Sequence, residues 1–263
     1  MNKSIADFLR TGQLAEGKTA IHRFNPGLKM LILIVYLVIV ISIPQSDFSR
    51  LAPFILLPAL ISAAADVPLQ DLLRGVIPAL PLILAAALSN LFFLRTPLFN
   101  AGSFQVTDGM IAFLTILLKS LLTVTAMSLL MAVTQFDQIL NVLGAIGTPD
   151  ILLRLISLSY RYLIVFFEEA AAMQRAYQLR SGHGNISIRH AGSYIGQLLL
   201  RSFNRAERVA FAMKCRDGGM TVQSRRLKRA SAREIAIALV VIGGNVFLRV
   251  VNVAEIFGNW VTA

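Results

Sequence analysis

The stretch MIAFLTILLKSLLTVTAMSLLMAV, residues 110–133, is apolar along its whole length except for Lys119. A helix over it is about 36 Å long at 1.5 Å per residue, enough to cross a hydrocarbon core of about 30 Å. The ammonium group of Lys119 costs about 3 kcal/mol or more near the centre of a bilayer. The stretch therefore predicts a membrane-spanning helix in which Lys119 has a partner in the bundle, reaches the interface or serves a transport path.

Four further apolar runs lie on either side of this stretch, at residues 28–43, 51–65, 76–94 and 235–256. The first two are short and need flanking residues or local thinning of the bilayer. The chain is 56% hydrophobic and only 15% charged, far more apolar than a soluble domain of this length. Residues 1–12 lack the uninterrupted apolar core of a secretory signal. These features predict an all-α, polytopic membrane helix bundle of about five spans.

The basic residues, which give a net charge of +11, are concentrated in two regions. About half of the 25 basic residues lie between Arg175 and Arg233, where only Glu207 and Asp217 are acidic, and others precede the first apolar run. Membrane proteins concentrate Lys and Arg in cytoplasmic segments, so both regions and the N-terminus are predicted to be cytoplasmic. No zinc, RNA-recognition or basic-zipper pattern accompanies the charge, and nucleic acid is not expected as a partner.

Residues 151–180, ILLRLISLSYRYLIVFFEEAAAMQRAYQLR, have helical propensity but carry charges at regular intervals. The spacing favours a helix of roughly 45 Å that lies along the membrane surface or projects into the cytoplasm. In the alternative, residues 152–167 span the membrane, which places the basic region outside. The adjacent Glu168 and Glu169 point to different faces, and we expect them to pair with Arg161, with Arg175 or with the basic second helix rather than to form a catalytic dyad.

A second polar helix is predicted at residues 190–219, where Gly218 and Gly219 would end it. Apolar residues three and four apart form one stripe, and they are Ile195, Leu199, Phe203, Ala206, Ala210 and Met213. Another face carries Arg201, Arg205 and Arg208 near Glu207. The chain is thus divided into a four-span bundle (1–134), a cytoplasmic or interfacial region with the two long helices (135–233) and a final span (234–263).

Catalytic motifs are absent or out of context. Residues 12–19, GQLAEGKT, fit the phosphate-loop pattern G-x-x-x-x-G-K-[ST], but no buried strand precedes them and Pro26 stops any following helix. The three histidines are scattered, and a surface position is the default for each; the single Cys215 forms no internal disulfide. We therefore expect no enzyme activity and no nucleotide, metal or other cofactor bound by this chain.

Two segments resemble a known family. Residues 22–34, HRFNPGLKMLILI, are similar to the opening H-R-x-D-P-R-x-K-L of the transmembrane T component of energy-coupling-factor transporters, CbiQ type; Asn25 and Gly27 depart from it. The stretch LRSFNRAERVAFAMKCRDGG, which ends at Gly219, resembles the family block L-R-S-x-x-R-A-E-R-V-x-x-A-M-x-A-R-G. The stretch RYLIVFFEEAAAMQRAYQLRSG is similar to its partner helix. The resemblance covers essentially the whole chain.

The resemblance implies that the two long helices are coupling helices on a pair of cytoplasmic ATPases, each ending in an Ala-Arg-Gly or Ala-Arg-Ser triplet. By position these triplets are Leu179-Arg180-Ser181 and Cys215-Arg216-Asp217, with Arg201, Arg205, Glu207 and Arg208 as supporting residues. The ATPases would use ATP and Mg, and a separate substrate-binding membrane subunit would hold the transported ion. The chain would be a multi-pass subunit of a prokaryotic plasma (inner) membrane.

The implied substrate is a transition-metal ion, cobalt, with nickel or a vitamin as alternatives. Two other classes stay open at the level of the sequence: a stand-alone secondary carrier with Lys119 in its path, and a membrane-embedded enzyme. The two halves of the chain do not match each other, which weakens the carrier hypothesis because many carriers are built from repeats.

Overall fold

The computed structural model describes residues 17, 19–44, 48–93, 97–101, 104–181, 188–215 and 230–250. These residues are almost entirely helical, which confirms the expected all-α helix bundle. The helices are α1 (Ala20–Arg23), α2 (Pro26–Ser42), α3 (Leu56–Ala64), α4 (Leu69–Val76), α5 (Leu80–Phe93), α6 (Asp108–Val133), α7 (Phe136–Ala145), α8 (Asp150–Ser181), α9 (Ile188–Cys215) and α10 (Ala232–Val250). Two 3-10 helices, Phe48–Ile55 and Ile77–Ala79, precede α3 and α5.

A short antiparallel hairpin of β1 (Pro97–Ala101) and β2 (Phe104–Thr107) interrupts the helices between α5 and α6. The sequence reasoning did not predict it. The chain divides into two compact units. The first, which we call the membrane unit, comprises Arg10–Ile139 and Lys228–Ala263; the second, the helix-pair unit, comprises Met1–Leu9 and Leu140–Leu227.

Helix α6 is the centre of the membrane unit and packs against α2, α3, α4 and α5. Its 26 residues make it the one helix of the described chain that is long and apolar enough to cross a membrane on that basis alone. Shorter apolar helices, at Pro26–Ser42, Phe48–Ala64 and Ile77–Leu91, coincide with three other predicted spans. The number of spans, about five, stays a prediction.

Two clusters of buried side chains hold α6 to its neighbours. One cluster joins α2 to the Phe48–Ile55 helix and α6, and there the hydroxyl of Tyr36 donates to the backbone carbonyl of Phe54 at 3.1 Å. The other lies where α3, α4 and the last turn of α6 meet, around Leu72, Leu129 and Val133. Within a bilayer, close van der Waals packing of this kind and interhelical hydrogen bonds hold helices together.

The segment HRFNPGLK, at residues 22–29, fixes how α2 begins. The side chain of Asn25 accepts a hydrogen bond from the Gly27 N–H at 2.9 Å, and Pro26 occupies the first helical position. Lys29 is buried, and its ammonium group donates to the carbonyls of Val133 at 2.8 Å and His22 at 3.2 Å. The start of α2 is therefore tied to the end of α6.

The other end of α2 is capped by two cations from distant helices. Lys119 of α6 donates to the carbonyls of Ile41 at 2.8 Å and Ile43 at 2.6 Å, so the expected partner inside the bundle is present. Arg249 of α10 donates through Nη2 to the carbonyl and hydroxyl oxygens of Ser42. These carbonyls have no partner within α2, and cations at a helix C-terminus are favoured.

In the helix-pair unit, a tight turn leads from α7 into α8. Gly147 has a φ of 101°, a conformation that side chains with a Cβ rarely adopt, and it allows the Thr148 N–H to bond the Leu143 carbonyl. Helix α8 then runs unbroken for 32 residues, and α9 for 28. Both predicted long helices are present; the described part of the second one ends at Cys215, and the predicted end at Gly218 and Gly219 lies outside the described residues.

Candidate coupling site

Helices α8 and α9 contact each other over a small region. The hydroxyl of Tyr194 donates to the backbone carbonyl of Ala170 at 2.6 Å, and Leu198 lies buried beside this contact region. Burial raises the pKa of Tyr194, because the phenolate would lose solvation there. One turn of α9 therefore anchors it to the middle of α8.

Polar contacts extend on both sides of this anchor. Arg201 Nη1 lies 3.4 Å from Glu169 Oε1, so Glu169 pairs with the second helix, one of the partners expected for it. Tyr177 Oη and His190 Nδ1 are 3.3 Å apart. Because the side chains of Arg201 and Glu169 are 50% and 25% exposed, this ion pair contributes at most about 1 kcal/mol.

The apolar stripe predicted on α9 exists, and it does not face α8. Ile195 is 59% exposed, Leu199 54% and Phe203 62%, and Ala206 and Ala210 on the same stripe are exposed too. Met213, the last residue of the predicted stripe, is half-buried. An exposed apolar stripe of this length is the kind of surface that a helix lays into a groove on a partner protein.

The predicted triplets lie at the C-terminal ends of the two helices. Leu179 is 88% exposed, Arg180 is also exposed, and Ser181 is half-buried as the last residue of α8. Cys215 is exposed as the last residue of α9, and the Arg216 and Asp217 of that triplet lie outside the described residues. An exposed arginine at a helix tip can form bidentate, charge-assisted bonds to a carboxylate of a partner.

The supporting residues differ in their surroundings. Arg208 and Glu207 are exposed, whereas Arg205 is half-buried. Near the tip of α9 the ammonium group of Lys214 lies 5.8 Å from the centroid of the Phe211 ring, a cation–π contact one turn apart. The structure thus gives α9 an apolar stripe, a basic flank and an exposed end.

The phosphate-loop pattern has no phosphate-loop context in the described part of its sequence. Thr19 Oγ1 lies 2.6 Å from His22 Nδ1, and only the four-residue α1 follows. A Cβ on Gly17 would lie 2.6 Å from the His22 ring, so this glycine is needed for packing. His22 is 8% exposed, and the expectation of a surface histidine was wrong for it. Residues 12–16 and Lys18 lie outside the description.

Within the described ranges, no group of three or more His, Cys, Asp or Glu residues is arranged to hold a metal ion. The sequence reasoning missed the Tyr194–Ala170 contact and the role of Lys29. A hydrogen bond from a tyrosine hydroxyl to a carbonyl in the middle of another helix cannot be predicted from the hydrophobic periodicity of the sequence. Lys29 could have been singled out, because it is the first charge inside the opening apolar run.

The fold and the helix pair define a class: a helical membrane protein with a separate pair of long helices suited to docking on other proteins. The comparison with known families identifies it further. The chain belongs to the cobalt transport protein family, CbiQ, whose sequence profile matches residues 17–228. The resemblance of the sequence to the transmembrane T component of energy-coupling-factor transporters is thereby confirmed.

Relatives cover most of the chain at low identity. The energy-coupling factor transporter transmembrane protein EcfT of Thermosediminibacter oceani is 25% identical over 244 residues, 86% of this chain and 91% of that protein. The EcfT protein of Brevibacillus brevis is 28% identical over 225 residues, 78% and 83% of the two chains. That of Streptococcus equi subsp. equi is 25% identical over 257 residues, 90% and 95%.

Proposed function

We propose that this chain is the non-catalytic energising subunit of a transporter, which transmits ATP hydrolysis by two partner ATPases to a separate substrate-binding membrane subunit. The observation that carries the proposal is the exposed end of α8, where Leu179 and Arg180 extend into solvent. The family of the chain and the names of its relatives support a place in an energy-coupling-factor complex.

The coupling contact is assigned to the two triplets, with Arg180 and Arg216 as the charged groups that meet carboxylates on the ATPases. The ATPases bind ATP and Mg, and this chain binds neither. Movement of the ATPases would then displace α8 and α9, since an arginine held bidentately fixes orientation as well as position.

The substrate we propose is a transition-metal ion, Co²⁺, in keeping with the description of the family. The metal would bind to the separate membrane subunit. Nickel and vitamins are the alternatives, and direct uptake measurements with each distinguish them. Lys119 donates to two carbonyls at the end of α2, which supports a structural role for it over a place in a carrier path.

The decisive experiment is co-purification of the full chain with its ATPases, together with uptake of labelled Co²⁺ in cells. We expect the double variant Arg180→Glu, Arg216→Glu to lose both the co-purifying ATPases and the uptake of Co²⁺. The matched control is Arg161→Glu, which reverses one exposed charge on α8 about 28 Å from Arg180 at 1.5 Å per residue. A double variant that keeps its ATPases and full uptake, or a purified chain that transports alone, contradicts the proposal.

A further inference from the structure

An apolar groove lies in the membrane unit between α3 and α10, above a floor formed by α2 and α6. Its volume is about 380 Å³, within the range of small-molecule sites. Leu60 of α3 and Val240 of α10 line it and are 59% and 74% exposed. The groove therefore opens sideways, toward the acyl chains of a bilayer, and its rims are not sealed by the described residues.

The length of the groove matches one leaflet. Along α10 its lining runs from Ile237 to Leu248, which is about 16 Å at 1.5 Å per residue. Half of a hydrocarbon core of about 30 Å is about 15 Å. A groove that is almost entirely apolar, with Lys29 and Asn245 as the polar residues in its lining, and that is open to lipid and one leaflet deep fits a single acyl chain.

A pair of cations lies beyond one end of the groove. Leu248, which lines the groove, is the neighbour of Arg249, and Arg249 and Lys119 converge on the C-terminus of α2. The last lining residue of α2 at this end is Tyr36, about 9 Å before Ser42. This separation leaves room for the glycerol portion of a lipid between an acyl chain in the groove and a phosphate at the cations.

The charges at this end are not balanced by the described residues. Lys119 and Arg249 carry two positive charges, whereas a helix C-terminus supplies about −0.5. No carboxylate of the described residues bonds to either cation, and Arg249 bonds the described residues through Nη2 alone. Its Nε and Nη1 bond none of the described residues and can donate to an anion. An anion bound at the membrane surface would offset this positive charge.

We propose that this groove binds one anionic phospholipid, with an acyl chain between α3 and α10 and the phosphate at Lys119 and Arg249. The inference needs only the membrane location of the chain and does not depend on the proposed coupling role. The charge of the cation pair selects an anionic headgroup, and the groove selects a lipid over free phosphate.

Two glycines on α10 offer a matched test. Gly244 lines the groove and Gly243 does not, and a Cβ on either meets nothing within 4 Å. Gly244→Leu should therefore place apolar atoms in the groove, while Gly243→Leu makes the same change on another face. Native mass spectrometry of the full chain would count bound 1-palmitoyl-2-oleoyl phosphatidylglycerol, phosphatidylcholine and inorganic phosphate.

The wild type and Gly243→Leu should retain one phosphatidylglycerol, and Gly244→Leu should bind it more than about tenfold less tightly, because the leucine takes the space of the acyl chain and removes its van der Waals contacts with the groove. Arg249→Gln should weaken the preference for phosphatidylglycerol over phosphatidylcholine about fivefold, and Arg249→Lys should keep it. If the Arg249→Gln variant does not fold, the comparison of lipid retention between Gly244→Leu and Gly243→Leu still tests the proposal.

Three results would overturn the proposal. The first is equal lipid retention by the two glycine variants. The second is protection of the chain against heat by inorganic phosphate as effective as that by phosphatidylglycerol, which would make the site one for a small anion. The third is a Gly244→Leu variant that keeps its lipid but loses a partner membrane protein, which would make the groove a protein interface.

Discussion

Replacing Lys29 by methionine tests whether the opening segment joins α2 to α6. Lys29 is 8% exposed, and its ammonium group holds the carbonyls of Val133 and His22. Val133 is the last residue of α6, so its carbonyl has no partner within that helix. Methionine keeps a stem of similar length and removes both hydrogen bonds along with the charge.

The expected loss of stability is about 3 kcal/mol. A buried acceptor left without a donor costs about 1–3 kcal/mol, and two are created here. Removing a buried ammonium group recovers part of that cost, because its desolvation no longer opposes folding. At about 2–4 °C per kcal/mol for a chain of this size, the Tm should fall by about 6–12 °C.

Thermal unfolding of the purified chain, followed by circular dichroism of its helices, measures this shift. Arg23→Met is the matched control, because it removes one exposed positive charge from the same segment, and its effect should stay within about 0.5 kcal/mol. A Lys29→Met protein that melts within about a degree of the control refutes the reasoning, since the two carbonyls would then have other donors.

Two further expectations follow from single positions in the helix-pair unit. Gly147→Ala should lower the free energy of unfolding by about 1–2 kcal/mol, because a residue with a Cβ is strained at a φ of 101° even though nothing lies within 4 Å of that Cβ. Gly192→Ala, in equally open space within α9, should raise the free energy of unfolding by up to about 1 kcal/mol, because alanine favours a helix more than glycine does. Chemical denaturation of both variants and the wild type measures these changes. The exposed Cys215 should react with a membrane-impermeant maleimide only from the cytoplasmic side, and more slowly in the proposed complex with ATPases. Labelling from outside in intact cells contradicts the predicted orientation.

The positions of the helices, and whether each helix is mainly apolar or mainly polar, were predictable from the sequence because they depend on local patterns. The span at residues 110–133 and the long helix at 151–180 follow from apolar runs and from the spacing of charges, and the structure has α6 and α8 there. The hairpin at Pro97–Thr107 was missed, since PLFNAGSFQVT carries only a weak alternation and adjoins apolar runs that suggest helix. The stripe on α9 was predicted, but its exposure was not.

The contacts of the cations could not be predicted, because each joins residues far apart in the chain. Lys29 reaches a carbonyl 104 residues away, Lys119 one 78 residues away and Arg249 one 207 residues away. A sequence pattern shows that an intramembrane lysine needs a partner, but the partner here is a helix terminus, whose position depends on the packing of the whole unit. For the same reason the bonds between Arg249 and Ser42 could not be predicted.

The basic residues of this chain have two different roles, and the surroundings of the helix terminus at which each one lies indicate which role it has. In the membrane unit, Lys29, Lys119 and Arg249 donate to carbonyls at helix ends that lack a partner within their own helix. At the end of α8 the last carbonyls are within reach of solvent, so Arg180 is not required as a cap. Its charge is available to a carboxylate on another protein at little cost to the fold. Charge reversal at Arg180 should for this reason abolish assembly while leaving the Tm of the isolated chain nearly unchanged, whereas Lys29→Met should do the opposite.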